Sequence, residues 1–412
     1  MHTDLPLVET EDCLLLDIYA PVDAFKPGAK PLPVIVWFFG GAFAYGSKNF
    51  GGPLCSGQSI LKAPGYKAIF IVGNYRVGAF GWLAGNYMQQ VGTPNAGLHD
   101  QALLLQWVQD HAHKVGGDED RVSAWGHCAG GGSIMHHLIR EDGERNPLFN
   151  SFVAWSPGFE WAWDNTVDGE LDLIYKDFSR LAGCSGRYDI ECLRGLDFKD
   201  LTEANRELFK KATAAGVFPV GPAVDGTWVK TMPPVALFQG KHWKGIDGAI
   251  VSHTTNETSS FVPKHINHKT AFETLLGIFL PGHILDKERA DILDQYDCVG
   301  KFNSDYKTCM DGLVEHLVFT CNTRFLIDAF PQKTYAMQHA FPDKEHAIHG
   351  SDMVPLFSNQ DSETKALLSQ ANLTWWQKTQ HIVVSEVTFS SRYKKFFASF
   401  AVSGDPNKDE ST

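Results

Sequence analysis

The stretch Gly126-His-Cys-Ala-Gly130 decides the fold. It follows Val122-Ser-Ala-Trp125, an apolar run typical of a buried β-strand, and it precedes a segment in which Ile134 and Leu138 have helical spacing. Glycines at both ends of the stretch permit a strained turn in which strand and helix pack closely. The sequence therefore predicts a strand, a sharp turn and a helix, with Cys128 at the tip of the turn.

Two interpretations of Cys128 are open from the residues alone. A side chain at the tip of such a turn is presented above the sheet, where a thiol can act as a nucleophile. A cysteine in a tight turn can also be a small buried hydrophobic residue without a chemical role. The position between a strand and a helix favours the nucleophile.

Strands and helices alternate around this turn. Apolar, β-branched runs that end at glycine or polar residues predict further strands, and Asp100–Asp110 has the spacing of a helix. Strands that are apolar on both faces suit a parallel sheet with helices on both sides. The predicted fold class is therefore α/β, with a central, mostly parallel sheet. The predicted strands cover residues 33–39, 68–72, 122–125, 151–155, 249–252 and 334–340.

Two long intervals between the later strands have helical rather than strand patterns. They cover about 160–245 and about 262–330, and the first is rich in aromatic residues. No internal repeat and no long linker interrupts the chain. We therefore expect one domain over residues 1–412, in which the two helical insertions form a cap on the sheet.

The amino-acid composition limits the kinds of binding partner and the cellular location that we expect for the protein. Of the 412 residues, 43% are hydrophobic and 20% are charged, which is typical of a globular protein with a large core. The net charge of −12 argues against a nucleic-acid partner. No apolar run reaches the roughly 18 residues of a membrane span. The N-terminus lacks a signal-peptide pattern, which predicts a cytoplasmic protein, or a secreted one if an N-terminal segment has been removed.

No cofactor or metal is expected. The eight cysteines contain no Cys-x-x-Cys pair, so a structural zinc site is not predicted, and they are too sparse for a disulfide scaffold. The chain also lacks a nucleotide-binding glycine pattern and a haem-attachment motif.

Four further segments carry a resemblance to a known family. They are Glu11–Pro21 (EDCLLLDIYAP), Asn74–Gly81 (NYRVGAFG), Gly116–Val122 (GGDEDRV) and Ser403–Asn407 (SGDPN). With the turn around Cys128, they resemble the type-B carboxylesterase, cholinesterase and fungal lipase group of the α/β-hydrolase fold. The resemblance covers nearly the whole chain.

The resemblance implies a triad in the chain order nucleophile, acid, histidine. Cys128 occupies the position of the family's nucleophilic serine. Glu257 falls at the acid position, and His349 lies in a segment, His349–Phe357, that matches the family's histidine loop. The backbone N–H groups of Gly41, Ala42 and Ala129 would then form the oxyanion hole.

The chain departs from the family pattern at several positions. Phe39 replaces the histidine that opens the oxyanion segment, and His127 replaces the glutamate before the nucleophile. A protonated His127 would lower the pKa of the thiol, a neutral one could be a second base, or the ring could point into the sheet. The resemblance further implies that Cys13 is unpaired and that Cys184 and Cys192 form a disulfide in an oxidising compartment.

Aromatic residues near these segments predict the substrate pocket. Phe43, Trp155 and Phe261, together with His127, are the candidate substrate-binding residues, although each ring could equally be ordinary core. A pocket lined by these aromatic side chains suits a small-molecule substrate with an apolar acyl group. A monomer or a homodimer is expected.

Three functional hypotheses follow. The first is a hydrolase of carboxylic esters, lactones or thioesters that works through an acyl-enzyme on a Cys-His-Glu triad. The second keeps the triad but transfers the acyl group or closes a ring, as an acyltransferase or cyclase does. The third is a catalytically silent, cholinesterase-like binding protein, against which the retained acid and histidine segments count.

Overall fold

The structure is a computed structural model that describes residues 9–49, 57–63, 65, 67–159, 162, 164–184, 189–215, 218–259, 261–280, 285–357 and 389–408. Cys55 lies outside these residues.

One seven-stranded sheet forms the centre, in the order β1-β3-β2-β4-β5-β6-β7. All neighbours are parallel except β1 and β3. The predicted α/β fold with a mostly parallel sheet is confirmed. The strands are β1 (Leu16–Tyr19), β2 (Leu32–Phe38), β3 (Ile69–Gly73), β4 (Gly117–His127), β5 (Ser151–Trp155), β6 (Gly248–Thr254) and β7 (Thr334–His339).

The strand before the Cys128 turn lies beside the first long apolar strand. Val34 of β2 is opposite Val122 of β4, and Trp37 is opposite Trp125. All four side chains are buried. The loop after β2 is therefore adjacent to the loop after β4, as an oxyanion hole beside a nucleophile requires.

Strand β1 was not among the predicted strands. Its residues Leu16–Tyr19 pair antiparallel with β3 at the edge of the sheet, and all are half-buried. An edge strand of this kind has neither the continuous apolar run of a central strand nor a clear alternation. Its sequence, LDIY, is therefore hard to distinguish from a loop.

Helices cover both faces of the sheet and fill the two long intervals. They are α1 (Gly57–Lys62), α2 (Ala79–Trp82), α3 (Asn86–Val91), α4 (Ala96–His111), α5 (Ala129–Leu138), α6 (Glu170–Leu181), α7 (Ile190–Gly195), α8 (Phe198–Ala215), α9 (Pro233–Phe238), α10 (Lys269–Phe279), α11 (Asp286–Tyr296), α12 (Tyr306–Glu315), α13 (Cys321–Ala329), α14 (Met353–Phe357) and α15 (Phe389–Ser403). Short 3₁₀ segments cover Val22–Phe25, Ala112–Val115 and Arg140–Gly143, and a π-helical turn, His316–Thr320, joins α12 to α13. No helix in the described ranges is long and apolar enough to cross a membrane.

The interval between β6 and β7 builds a hydrophobic cluster separate from the main core. We call it the cap cluster; its buried members include Phe272, Leu276, Met310, Leu313 and Phe319. Cys128 and Phe261 pack against this cluster from the sheet side. The second interval therefore covers the tip of the Cys128 turn with apolar side chains.

Two disulfides tie the helical intervals. Cys184 is bonded to Cys192, as the resemblance implies, and Cys298 is bonded to Cys309, a pair that the sequence did not predict. Among the described cysteines, Cys13, Cys128 and Cys321 are free.

Candidate active site

The turn around Cys128 is strained and is built on its two glycines. Cys128 has φ +57° and ψ −122°, in a region that residues with a side chain seldom occupy. A Cβ on Gly126 would lie 2.4 Å from the carbonyl carbon of Gly130, and one on Gly130 would lie 2.0 Å from the carbonyl oxygen of Phe38. Both glycines are therefore required for β2, β4 and α5 to meet at this point.

Four parallel strands bring the candidate residues to the same end of the sheet. Gly41 follows β2, Cys128 follows β4, Glu257 follows β6 and His349 follows β7. The carboxyl ends of parallel strands share an edge, which is where ligands bind in open α/β sheets. The regular sheet therefore brings together side chains that are far apart in the sequence.

Glu257 contacts His349 directly. Oε2 of Glu257 lies 2.5 Å from Nδ1 of His349, and the exposed fractions of the two side chains are 0% and 9%. The loops that carry them are joined, because the N–H of Asn256 donates to the carbonyl of Ala347 and its side chain donates to the carbonyl of Glu345. These contacts fix the orientation of the imidazole.

Ser156 is a further part of this arrangement that sequence reasoning missed. It directly follows β5, and its hydroxyl donates to Oε1 of Glu257 at 2.7 Å. The N–H of Thr254 donates to the same oxygen at 2.6 Å. Both oxygens of the buried carboxylate are therefore satisfied. The position of Ser156 immediately after a predicted strand was the available signal.

Cys128 and His349 favour each other's charged forms. Burial opposes ionisation of the Cys128 thiol, but the charge of His349 and the N–H groups of Gly41 and Ala129 outweigh it and lower the pKa of the thiol. Burial also opposes protonation of His349, but the charges of Cys128 and Glu257 raise its pKa well above the ordinary value. Since Nδ1 of His349 contacts Glu257, Nε2 is the nitrogen that faces the Cys128 thiol, and the hydrogen bond between the two side chains also favours both charged forms.

The loop after β2 faces the same thiol. Gly41 has φ +120° and Ala42 has φ +52°, so the loop turns sharply, and the N–H of Gly41 is directed at the Cys128 thiol. Phe39, at the position of the family's histidine, stacks on Tyr75 at 4.2 Å, and the Tyr75 hydroxyl donates to the carbonyl of Phe39 at 2.6 Å. Aromatic packing thus supports the start of the loop in place of a polar side chain.

His127 packs against the imidazole of His349. The ring centroids are 4.7 Å apart, and Nε2 of His127 is buried without a hydrogen-bond partner among the described residues. Burial and the charge of His349 lower the pKa of His127 well below its ordinary value. The neutral form of His127 is therefore favoured, which argues against activation of the thiol by a protonated His127.

The aromatic candidates occupy different places. Phe261 is half-buried and edge-on to His349, with the ring centroids 5.1 Å apart. Phe43 is buried edge-on against Trp82 at 4.7 Å. Phe319, which the sequence analysis did not select, lies 4.6 Å from the imidazole of His349. Its contact with a residue 30 positions further on has no local sequence signal.

The interpretation of Trp155 as a pocket wall is wrong. Its side chain is fully buried between the sheet and α15, with ring centroids 4.7 Å from Phe397, 5.6 Å from Trp125 and 5.8 Å from Trp37. The last residue of a strand is close to the active edge in sequence, but the pleat turns this ring into the core. Only the Trp155 carbonyl reaches the site, where it accepts from the N–H of Cys128 at 2.9 Å.

Two other acids, the buried Asp352 and the half-buried Glu315, lie near Glu257. Burial and the charge of Glu257 raise the pKa of Asp352 to about 7 and that of Glu315 to about 7. Burial also opposes ionisation of Glu257, but the charge and hydrogen bond of His349 lower its pKa. Glu257 is therefore the acid that stays ionised beside His349.

Asp352→Asn should stabilise the protein at alkaline pH and not at acidic pH. The folded protein keeps a proton on Asp352 up to about pH 7, whereas the unfolded chain loses it near pH 4. The stability from this proton is full below about pH 4 and is lost as pH rises through 7. Chemical denaturation should show the variant more stable than the parent at pH 8, by on the order of 1–4 kcal/mol, and equal to it at pH 4. An identical shift at both pH values would contradict the assignment.

Comparison with known proteins identifies the family. The model of the carboxylesterase family matches residues 2–412. The chain belongs to the carboxylesterase family. A secreted lipase of Arthroderma benhamiae is 34% identical over 403 residues, which is 96% of this chain and 72% of that protein. The carboxylesterase patB of Aspergillus clavatus is 32% identical over 363 residues, 85% of this chain and 63% of that protein.

Solved structures agree with this carboxylesterase-family fold. Aspergillus niger EstA superposes with a TM-score of 0.80 over 99% of this chain and 77% of that chain, at 22% identity. A thermophilic PNB esterase superposes with a TM-score of 0.77 over 98% of this chain, also at 22% identity. The family inferred from the sequence motifs is confirmed, and its relatives are named as lipases and carboxylesterases, which are hydrolases. The relatives give no support to a cytoplasmic location.

Proposed function

We propose that this carboxylesterase-family protein hydrolyses esters, lactones or thioesters with apolar acyl groups through an acyl-enzyme on Cys128. One observation carries the proposal: the imidazole of His349 lies between the buried carboxylate of Glu257 and the thiol of Cys128, which also faces the N–H groups of Gly41 and Ala129. This is the arrangement of nucleophile, base and orienting acid that acyl transfer requires.

Acylation uses the charge pair of Cys128 and His349. The Cys128 thiolate attacks the carbonyl carbon, a C–S bond forms, and the carbonyl oxygen becomes an oxyanion. The Gly41, Ala42 and Ala129 N–H groups are proposed to donate to this oxyanion. The bond from carbon to the leaving group then breaks, and the leaving alkoxide or thiolate takes the proton from Nε2 of His349.

Deacylation reverses the direction of proton transfer. Neutral His349 takes a proton from water, the resulting hydroxide attacks the thioester carbon, and the C–S bond breaks to return the Cys128 thiolate and a carboxylic acid. Glu257 holds Nδ1 of His349 protonated, so Nε2 remains the basic nitrogen.

The use of a thiol as nucleophile predicts which classes of substrate are turned over faster. In a tetrahedral intermediate with an alkoxide leaving group, the thiolate is the better leaving group, so the reaction tends to reverse. Thioesters undergo this reversal less than unactivated alkyl esters because their leaving group is itself a thiolate. Lactones also release an alkoxide, and their place in the proposal rests on the greater reactivity of the strained ring. The proposed order of turnover is therefore thioesters and lactones before alkyl esters.

The proposed location is a compartment outside the cytosol. The disulfides Cys184–Cys192 and Cys298–Cys309 persist in oxidising environments, and one relative is named a secreted lipase. A single domain over residues 1–412, with the two helical intervals as a cap, remains part of the proposal.

A substrate panel tests the proposed function. Initial rates are measured with a thioester, a lactone and an alkyl ester that share one acyl group, for the protein and for Cys128→Ser. The protein should favour the thioester over the alkyl ester, and the serine variant should shift that ratio toward the alkyl ester by about tenfold or more. Adding an alcohol or amine reports acyl transfer as a new product. Turnover of none of the panel would favour a silent binding protein and contradict the proposal.

A further inference from the structure

Asn256, Glu257 and Thr258 form an N-glycosylation sequon around the candidate catalytic acid. The pattern Asn-x-Thr, with any residue but proline in the middle, accepts a glycan on the asparagine side-chain nitrogen in secreted proteins. The proposed location outside the cytosol would bring the chain to that reaction. The contacts of Asn256 decide between two interpretations, a glycan carrier on the surface or a part of the site.

The side chain of Asn256 joins the loop after β6 to the loop after β7. Its Nδ2 donates to the carbonyl of Glu345 at 2.6 Å, and its N–H donates to the carbonyl of Ala347 at 3.1 Å. Asn256 and Ile348 also form an isolated parallel bridge. The two loops are therefore paired beyond the ends of the two strands.

This bridge sets the register of the catalytic acid and base. Because it pairs Asn256 with Ile348, the next residue on one side is Glu257 and the next on the other side is His349. In this register, Oε2 of Glu257 lies 2.5 Å from Nδ1 of His349. A displacement of about 1 Å in such an arrangement can lower a rate on the order of a hundredfold. The hydrogen bonds of Asn256 therefore act directly on the contact between acid and base.

The threonine of the sequon is engaged as well. The hydroxyl of Thr258 donates to the carbonyl of Asp311 on α12 at 2.7 Å, and Thr258 is 1% exposed. Asn256 itself is half-buried, with Nδ2 in contact with the backbone of the facing loop. A sugar on Nδ2 needs open space around the nitrogen and would separate the two loops at this point. The folded sequon thus presents neither a free amide nor an exposed hydroxyl.

We propose that Asn256 is a positioning residue for the reaction, whose side chain holds Glu257 against His349, and that the active protein carries no glycan at this sequon. The inference rests on the proposed function and the proposed location. Asn256 acts through the acid and the base rather than on the substrate. A glycan on Asn256 and an assembled triad exclude each other.

Three variants test the positioning role through kcat, KM and thermal unfolding. Asn256→Ala removes the donor to Glu345, and it should lower kcat for a butyryl thioester by about a hundredfold with little change in KM. Asn256→Asp has nearly the same shape without a side-chain N–H, and it should give a similar loss. Asn150→Ala is the matched control, since Nδ2 of Asn150 donates to the carbonyl of Asp120 at 2.8 Å at the opposite end of the sheet. Its kcat should stay within about twofold of the parent, and all three variants should unfold within a few degrees of it.

Alkylation of Cys128 by iodoacetamide separates positioning from a general loss of packing. Glu257 helps to raise the pKa of His349, and the charge of His349 lowers the pKa of the Cys128 thiol. Both effects weaken when Glu257 is displaced. The midpoint pH of alkylation should therefore rise in Asn256→Ala and Asn256→Asp, and it should be that of the parent in Asn150→Ala.

Protein secreted by a yeast host tests the glycan prediction. The peptide that contains Asn256 should have its unmodified mass in the fraction that turns over the thioester. A glycan on this peptide in the active fraction would overturn the inference.

The outcomes separate this inference from the proposed function. An unchanged kcat and alkylation midpoint in Asn256→Ala and Asn256→Asp would overturn the inference, while turnover by the parent upholds the proposed function. A loss in Asn150→Ala equal to that in Asn256→Ala would also overturn it. No turnover and no acyl adduct in the parent would overturn the proposed function and the inference with it.

Discussion

Cys128→Ala should lose turnover of every substrate in the panel by at least about 10³-fold in kcat. The thiol is the group that forms the covalent bond, and a methyl group cannot replace it. Nε2 of His127 is buried, so this ring offers no substitute nucleophile. Steady-state hydrolysis of a thioester, with the substrate at saturation, measures the effect.

The matched control for this change is Cys321→Ala. Cys321 is also a free cysteine, but it is exposed and lies on the cap. Its variant should keep the activity of the parent, and both variants should unfold within a few degrees of it. Activity in Cys128→Ala close to that of the parent would show that the cysteine is structural.

Glu257→Gln should lower kcat by about 10³–10⁴-fold with little change in KM. The amide cannot stabilise the imidazolium, and it can donate to Nδ1, which favours the tautomer with the proton on the wrong nitrogen. The buried position of Glu257 makes the charge loss costly, because solvent does not screen it. The pH profile of kcat/KM should also change, since Glu257 helps to raise the pKa of His349.

A second histidine–carboxylate pair supplies the control. Asp343 contacts Nδ1 of His346 at 2.7 Å on the loop that carries His349, but Asp343 is exposed and His346 is only half-buried. Asp343→Asn should leave kcat within about twofold of the parent, because exposed pairs contribute little and this one is outside the site. Equal losses for Asp343→Asn and Glu257→Gln would mean that loop disruption, rather than the orientation of His349, causes the effect.

The sequence predicted those parts of the site that depend on backbone constraints. Gly126 and Gly130 are required by close backbone approach, and such constraints leave a local signature. The strands on both sides of the turn are continuous apolar runs, since both faces of a central parallel strand are covered. The fold class follows from these features, and so does the close approach of the loops that carry Gly41 and Cys128.

Other parts depend on contacts between distant segments and could not be predicted. The contact of Phe319 with His349 requires the cap to fold back over the sheet, and the pairing of Cys298 with Cys309 depends on the same packing. Trp155 shows the opposite error, because proximity in sequence to the active edge was taken as proximity in space. The direction in which a strand-end side chain points is set by the pleat and by the partner helix, here α15.

The most direct test of the account is the mass of the protein trapped during turnover. The protein is mixed with a butyryl thioester, quenched in acid within the first turnover, and analysed as intact protein and as peptides. We predict one added butyryl group, on the peptide that contains Cys128, and none in Cys128→Ala. Absence of the adduct in an enzyme that turns over the substrate, or an adduct on Cys13 or Cys321 instead, would contradict the assignment of Cys128 as the nucleophile.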